Sequence, residues 1–232
     1  SVDLSYYRIK VGDWDMLILL LLIMAMLVSP YLLIPFFAFF ALLALLLPFQ
    51  FTVNSLFHIF TIPGQIYKIA TNRVLRMNHA LEHATVNILE SRYGYKNLAG
   101  YAENNGFYII GANNIFQVEQ AAREGLALLK RGEKDLAIHR KCGTSISMVN
   151  FISSLAFIFL ILVTGHFNIM NVLLAVLFAN LLGPLLGRFV QRYFTTSADV
   201  SEMEIVTSYY APGQMWNTPG KIFVKTSWIP YL

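Results

Sequence analysis

Two long stretches of the chain contain no Lys, Arg, Asp or Glu: residues 16–67, 52 positions, and residues 142–187, 46 positions. One membrane-crossing helix needs about 20 apolar residues, so each stretch is long enough for two. Turn-forming residues stand where each would reverse, Ser29, Pro30 and Pro35 in the first and Thr164, Gly165, His166 and Asn168 in the second. The first turn is the less defined, because proline can kink a membrane helix without ending it. The pattern predicts a mainly α, polytopic membrane protein with about four transmembrane helices in two hairpins. An N-terminal segment (1–15) precedes hairpin 1 (16–50), and a small helical cytoplasmic domain carrying a metal site (65–142) separates it from hairpin 2 (143–190). Residues 51–64 are apolar but short and include His58 and two threonines, so they are expected to lie along the interface or re-enter. The tail, 191–232, is rich towards its end in Tyr, Trp, Pro and Gly and is expected to lie on the interface or on a partner.

Within the polar middle, Val74, Met77, Leu81, Val86 and Leu89 recur at helical spacing in a run without Pro or Gly. That predicts one helix over 70–92 ending before Gly94. Residues 100–114 read as two short strands or a loop turning at Asn104, Asn105 and Gly106, followed by a helix over 116–130 capped by Asn113 or Asn114 and stopped at Gly132. In the last apolar stretch Gly183 and Gly187 are four apart, which suits close helix packing beside Pro184. Asn180 in the same run reads as packing or as the lining of a substrate path.

Composition narrows the class. Hydrophobic residues make up 56% of 232 and charged residues 13%, roughly half the share found in soluble domains. An ordinary soluble globule and a disordered chain are both excluded. The pI of about 9.1 rests on a net charge of only +4, too little for a nucleic-acid binder. The single cysteine, Cys142, cannot make an internal disulfide. Two basic residues precede the first apolar stretch, eleven lie between the two and four follow the second. With four passes all of them fall on one side, which the positive-inside rule makes cytoplasmic, or stromal in a plastid or thylakoid. No small-residue cleavage site follows the first apolar segment, so it reads as a membrane segment and not as a leader.

The chemistry is concentrated in His79-Ala80-Leu81-Glu82-His83, an H-x-x-E-H motif on the first predicted helix. Residues three and four apart share a helix face, so two imidazoles can meet at one ion with a carboxylate beside them. Zinc hydrolases need this: two neutral imidazoles hold the metal, a third ligand comes from elsewhere, and the carboxylate serves as general base. The reversed order of the motif is the inverzincin signature. With five His and eight Glu in the chain, chance would produce about 0.004 such matches. The alternative is a satisfied polar patch where the helix packs. The third ligand is expected from His139-Arg140-Lys141-Cys142, with His139 as the first candidate and Cys142 as either a ligand or a small buried hydrophobe. Glu90, seven after His83, can support an imidazole or complete the coordination. Glu204 is either a downstream carboxylate ligand or part of a solvated segment.

The runs H-x-x-E-H-x-T (His79 to Thr85, then Glu90), H-x-x-C-G-T (His139 to Thr144) and Q-x-x-x-T-T (Gln191 to Thr196, then Glu204) resemble a group of bacterial and plastid membrane proteins described only as domains of unknown function. The likeness spans about residues 78–206 and departs after Thr196, where Ser197, Ala198 and Asp199 replace a Glu-Pro pair. It implies a metal-dependent membrane protein and no particular activity.

Two functions fit these residues. One is an integral-membrane hydrolase, peptidase-like, dependent on zinc or another divalent metal, with His79, His83 and His139 as ligands and Glu82 as base. The other is a non-catalytic subunit or assembly factor of a larger membrane complex, in which a metal or polar cluster fixes the central domain to the bilayer. A histidine ligating chlorophyll or haem is a third.

Overall fold

The computed structural model describes residues 11–28, 31, 33–211 and 220–229. The chain divides into two compact units, Ser1–Gln50 and Phe51–Leu232. Helices α1 (Val11–Val28) and α2 (Leu33–Ala70) follow the first apolar stretch. The turn expected at Ser29 and Pro30 lies outside the described residues. Helix α2 runs unbroken through Pro35, Pro48 and Pro63 for 38 residues, about 57 Å at the α-helical rise. Residues 51–64 are therefore helix, continuous with the apolar run before them. In apolar surroundings a broken backbone leaves amide groups without partners, so continuing the helix past a proline is the better solution. His58 accordingly sits on α2, with Nδ1 3.5 Å from Ser154 Oγ.

Helices α5 (Gly143–Thr164) and α6 (Ile169–Val190) form the expected second hairpin. Gly165, at φ +66°, ends α5 in the left-handed conformation that glycine adopts without penalty, and the Asn168 side chain caps α6 by accepting from Asn171 N–H at 3.0 Å. The two helices touch at the predicted small residues: a Cβ on Gly187 would stand 2.8 Å from Ser145 Oγ, and one on Gly183 would stand 2.9 Å from Val149 Cα. Asn180 donates back to Val176 O of its own helix at 2.8 Å. Among the described residues three helices are long and apolar enough to cross a membrane, Ile34–Ala70, Gly143–Thr164 and Ile169–Thr195; the apolar run of α1, Met16–Ala25, is shorter. Large apolar side chains such as Phe159 and Leu162 point outward from the hairpin, as a lipid-facing surface requires.

The polar domain is α+β, not helical. Strands β1 (Ala99–Glu103), β2 (Gly106–Ile110), β3 (Met203–Tyr210) and β4 (Lys221–Trp228) form an antiparallel sheet in the order β1-β2-β4-β3. Helices α3 (Arg73–Arg92) and α4 (Ile115–Lys130) pack against it around Leu81, Leu89, Phe107, Ile109, Val118 and Ile222. The hairpin turn at Asn104 and Asn105 and the Asn114 cap of α4 stand where the sequence puts them. The tail is the correction. Its two runs, MEIVTSYY and KIFVKTSW, supply half the sheet, with Met203, Ile205, Ile222 and Val224 turned to the core. Their period-two alternation carries the strand signal that the surrounding Tyr, Pro and Gly content obscures. The domain is thus closed by chain from both sides of the α5–α6 hairpin.

Replacing Gly187 with Leu forces α6 away from Ser145 and is expected to cost about 1–3 kcal/mol of stability. A thermal melt in detergent checks this; an unchanged midpoint would show that the helices do not meet there.

Candidate metal centre

Helix α3 starts at Asn72, whose side chain accepts from Leu75 N–H at 3.0 Å, and stops at Tyr93 before Gly94. Between these ends residues 77–86 are all buried, including Asn78, His79, Glu82, His83 and Thr85. A helix buried on every face must pair each polar side chain internally. Asn78 donates to Glu103 O at 2.7 Å and accepts from Thr226 Oγ1 at 2.7 Å. Thr85 donates to Leu81 O. His79 Nδ1 lies 2.8 Å from Thr195 O, and His83 Nδ1 lies 2.7 Å from Ala137 O.

Those last two contacts fix the tautomers. A carbonyl only accepts, so each Nδ1 carries the proton and each Nε2 presents its lone pair. The Nε2 atoms turn towards one another across ring centroids 4.4 Å apart. His83 Nε2 is buried without a hydrogen-bond partner. The Cys142 sulfur lies 3.3 Å from His79 Nε2, at the start of α5, where it also accepts from Thr144 N–H at 3.3 Å. One donor atom each from His79, His83 and Cys142 falls within a 4.8 Å group. Glu82 Oε2 stands 3.8 Å from His79 Nε2 and 3.7 Å from His83 Nε2. Burial drives the Glu82 carboxyl up to about 8, against the pull of a charge on His79, and burial likewise raises the Cys142 thiol.

These residues suit a bound divalent metal. An orphaned imidazole nitrogen in a buried site, a neighbouring imidazole with the same tautomer and a thiol are the donor set that zinc takes, and Nδ1–H to a backbone carbonyl is the usual support for a ligating histidine. Two of the three predicted ligands, His79 and His83, are brought together; the third, His139, is not. Its Nε2 pairs with Glu90 Oε2 at 3.3 Å, and its ring centroid is 6.1 Å from that of His83. Gln191 is the cause: its Oε1 accepts from His139 N–H at 3.0 Å and its Nε2 donates to His139 O at 3.1 Å, holding the loop so that Cys142 and not His139 faces His79. Glu90 therefore supports His139. Glu204 is exposed on β3, opposite Ser227 at the far edge of the sheet from β1, and takes no part.

The sequence left several contributors unassigned. Thr195 and Ala137 act through their carbonyls, for which no residue type is a signal. Gln191 begins a π-turn (Gln191–Thr195) that continues α6 and carries Thr195 O to His79; the Q-x-x-x-T-T run marked these positions without giving them a role. Arg76 steadies the same turn, donating to Tyr193 O at 3.1 Å and Thr196 O at 3.0 Å. Gly100 is required because a Cβ there would overlap Glu82 Oε1. An open cavity of about 490 Å3 reaches the cluster, with Glu82, His79, Cys142, Gly100, Gln65 and Thr144 in its wall.

Fold and site together define an α+β domain tied to apolar hairpin helices, with a buried His/His/Cys cluster that could hold a metal ion. Residues 74–207, more than half of the chain, match the model of a family described as a domain of unknown function, DUF6391, and the chain belongs to that family. It is also similar to an uncharacterised protein of Picosynechococcus sp., 36% identical over 83 residues that cover 32% of this chain and 40% of that protein. The chain thus spans two fifths of that relative's length. No solved structure matches.

Elemental analysis of the purified protein is expected to find a divalent metal that His139→Ala retains and that His79→Ala, His83→Ala and Cys142→Ser lose. Metal loss in His139→Ala with retention in Cys142→Ser would reverse the assignment of the third ligand.

Proposed function

We propose that this protein is an integral-membrane, metal-dependent hydrolase of peptidase type, acting at the membrane surface on the cytoplasmic or stromal side. The observation that carries it is the composition of the cluster: three protein donors among the described residues, with the Glu82 carboxylate 3.7 and 3.8 Å from the two imidazole nitrogens. Structural zinc sites are closed by four protein ligands, whereas catalytic sites keep a position open. A zinc ion held by His79, His83 and Cys142 would supply a Lewis acid that polarises a carbonyl and makes water acidic near neutral pH.

The remaining work falls to the chain's own groups. Glu82 is buried 3.8 and 3.7 Å from the two imidazole nitrogens, where its carboxylate can take a proton from attacking water and return it to a leaving amine. Thr195 O and Ala137 O hold the imidazoles in the tautomer that leaves Nε2 free. The cavity admits a substrate from the side of Gly100 and Gln65, while the apolar residues around α3 exclude water from the other sides.

Substituting Glu82 with Gln is expected to keep the metal and lower turnover of a quenched fluorescent peptide by about 100-fold or more. Unchanged turnover rejects the role of Glu82.

The second reading, a non-catalytic subunit of a larger membrane complex, draws on the exposed Tyr101, Tyr209, Tyr210 and Trp228 of the sheet, side chains of the kind enriched at protein interfaces. Stoichiometric co-purification with such a complex, together with no loss of function in Glu82→Gln, would favour it.

A further inference from the structure

The sheet has two edges, and they differ. On β3 the register with β4 shifts between Ile205 and Thr207, and Arg123 of α4 reaches Ile205 O at 3.4 Å; bulges and covering side chains blunt an edge. Strand β1 has neither device. It reads Ala-Gly-Tyr-Ala-Glu, without Pro or Lys, and keeps one regular register along β2.

The direction of its peptide groups follows from the next strand pair. Gly111 N–H donates to Gly220 O at 2.8 Å, and Thr226 N–H donates to Asn105 O at 3.0 Å, so the odd-numbered residues of β2 turn towards β4 and the even-numbered ones towards β1. Gly106, Tyr108 and Ile110 thus bond with Glu103, Tyr101 and Ala99, which leaves the N–H and C=O of Gly100 and Ala102 directed at the free edge. Among the described residues no hydrogen bond reaches these four groups. Gly100 is also where the edge meets the cluster: a Cβ there would lie 2.8 Å from Glu82 Cδ. Residues 98–102 line the cavity beside Glu82, together with Ile66 and Ile69 at the end of α2 and Ile146 and Ser147 at the start of α5.

We propose that the cavity binds an extended polypeptide segment by strand addition to the β1 edge, its backbone pairing with Gly100 and Ala102 and so passing beside Glu82. Binding stands independently; only the fate of the bound segment rests on the hydrolase reading. A row of alternating amide donors and acceptors is complemented by another peptide backbone, which a lipid or a sugar cannot imitate. Because the ends of apolar helices also line the cavity, the segment is one that lies against a membrane surface, such as the stretch flanking a membrane span.

The test uses the full chain in detergent as the Glu82→Gln variant, with a fluorescein-labelled nonapeptide of alternating Val and Thr as probe and fluorescence anisotropy as readout. Full N-methylation of the peptide is expected to weaken binding about tenfold or more, while methylation of alternate residues is tolerated in at least one of its two phases, since one side of an added strand faces β1. Ala102→Pro, which removes an outward N–H and no β1–β2 bond, is expected to weaken the unmodified peptide to a similar degree. An affinity indifferent to full methylation, equal loss in both phases, or no binding of the unmodified peptide overturns the proposal. The methylated series needs no change in the strand, so misfolding of Ala102→Pro does not decide the matter. Methylation-sensitive binding in a protein whose wild type cuts no peptide would reject the hydrolase and leave this site standing. Cleavage without methylation sensitivity would do the reverse.

Discussion

The constraint on which the rest depends is that the middle of α3 is buried on every side. Residues 77–86 are buried in succession, and they include two histidines and a glutamate. Each unpartnered polar group so placed costs about 1–3 kcal/mol. The domain meets this with fixed partners: Asn78 ties the helix to the turn after β1 and to β4, and the two Nδ1 atoms are taken by backbone carbonyls. Within the cluster the atom left without a partner is His83 Nε2, on the side of the helix where the His79 imidazole, the Cys142 thiol and the Glu82 carboxyl converge. A cation would resolve these groups at once, and the cluster is one that could hold a metal ion.

The supports of that centre come from the membrane hairpin. Cys142 precedes the first turn of α5, and the π-turn that follows α6 delivers both Thr195 O to His79 and the Gln191 side chain to His139. Gln191 also bonds Ser145, and Ser145 is the residue that Gly187 allows α6 to approach. Helix packing and ligand geometry therefore share atoms, so a shift of α6 along α5 would be felt first at the imidazoles. An aromatic row crosses the sheet from Tyr101 to Tyr108 to Phe223 to Tyr209, pairing side chains of neighbouring strands.

Much of this was legible in sequence because the determining signals are local. The second hairpin follows from charge-free length and from Gly165 and Asn168; α3 and its paired imidazoles follow from helical spacing; the β1–β2 turn follows from Asn104-Asn105-Gly106. Two of the departures share a cause, which is long-range pairing. Strands β3 and β4 join β2 from about 100 residues downstream, so their alternation was read as an aromatic tail. His139 and Cys142 sit one turn apart, and the choice between them is made by Gln191, 52 positions from His139 and silent as a ligand type. Residues 51–64 looked too short to span, but length in isolation does not apply to a segment that continues a helix already begun at Leu33. The identity of this chain as a DUF6391 member adds no chemistry beyond what the cluster itself supplies.

The central claim is that His79, His83 and Cys142, without His139, form one metal-binding set. X-ray absorption at the edge of the metal that accompanies the purified protein tests it most directly. For zinc the account predicts two imidazole nitrogens at about 2.0–2.1 Å and one sulfur at about 2.3 Å. A shell of light atoms alone, with no sulfur scatterer, would contradict it.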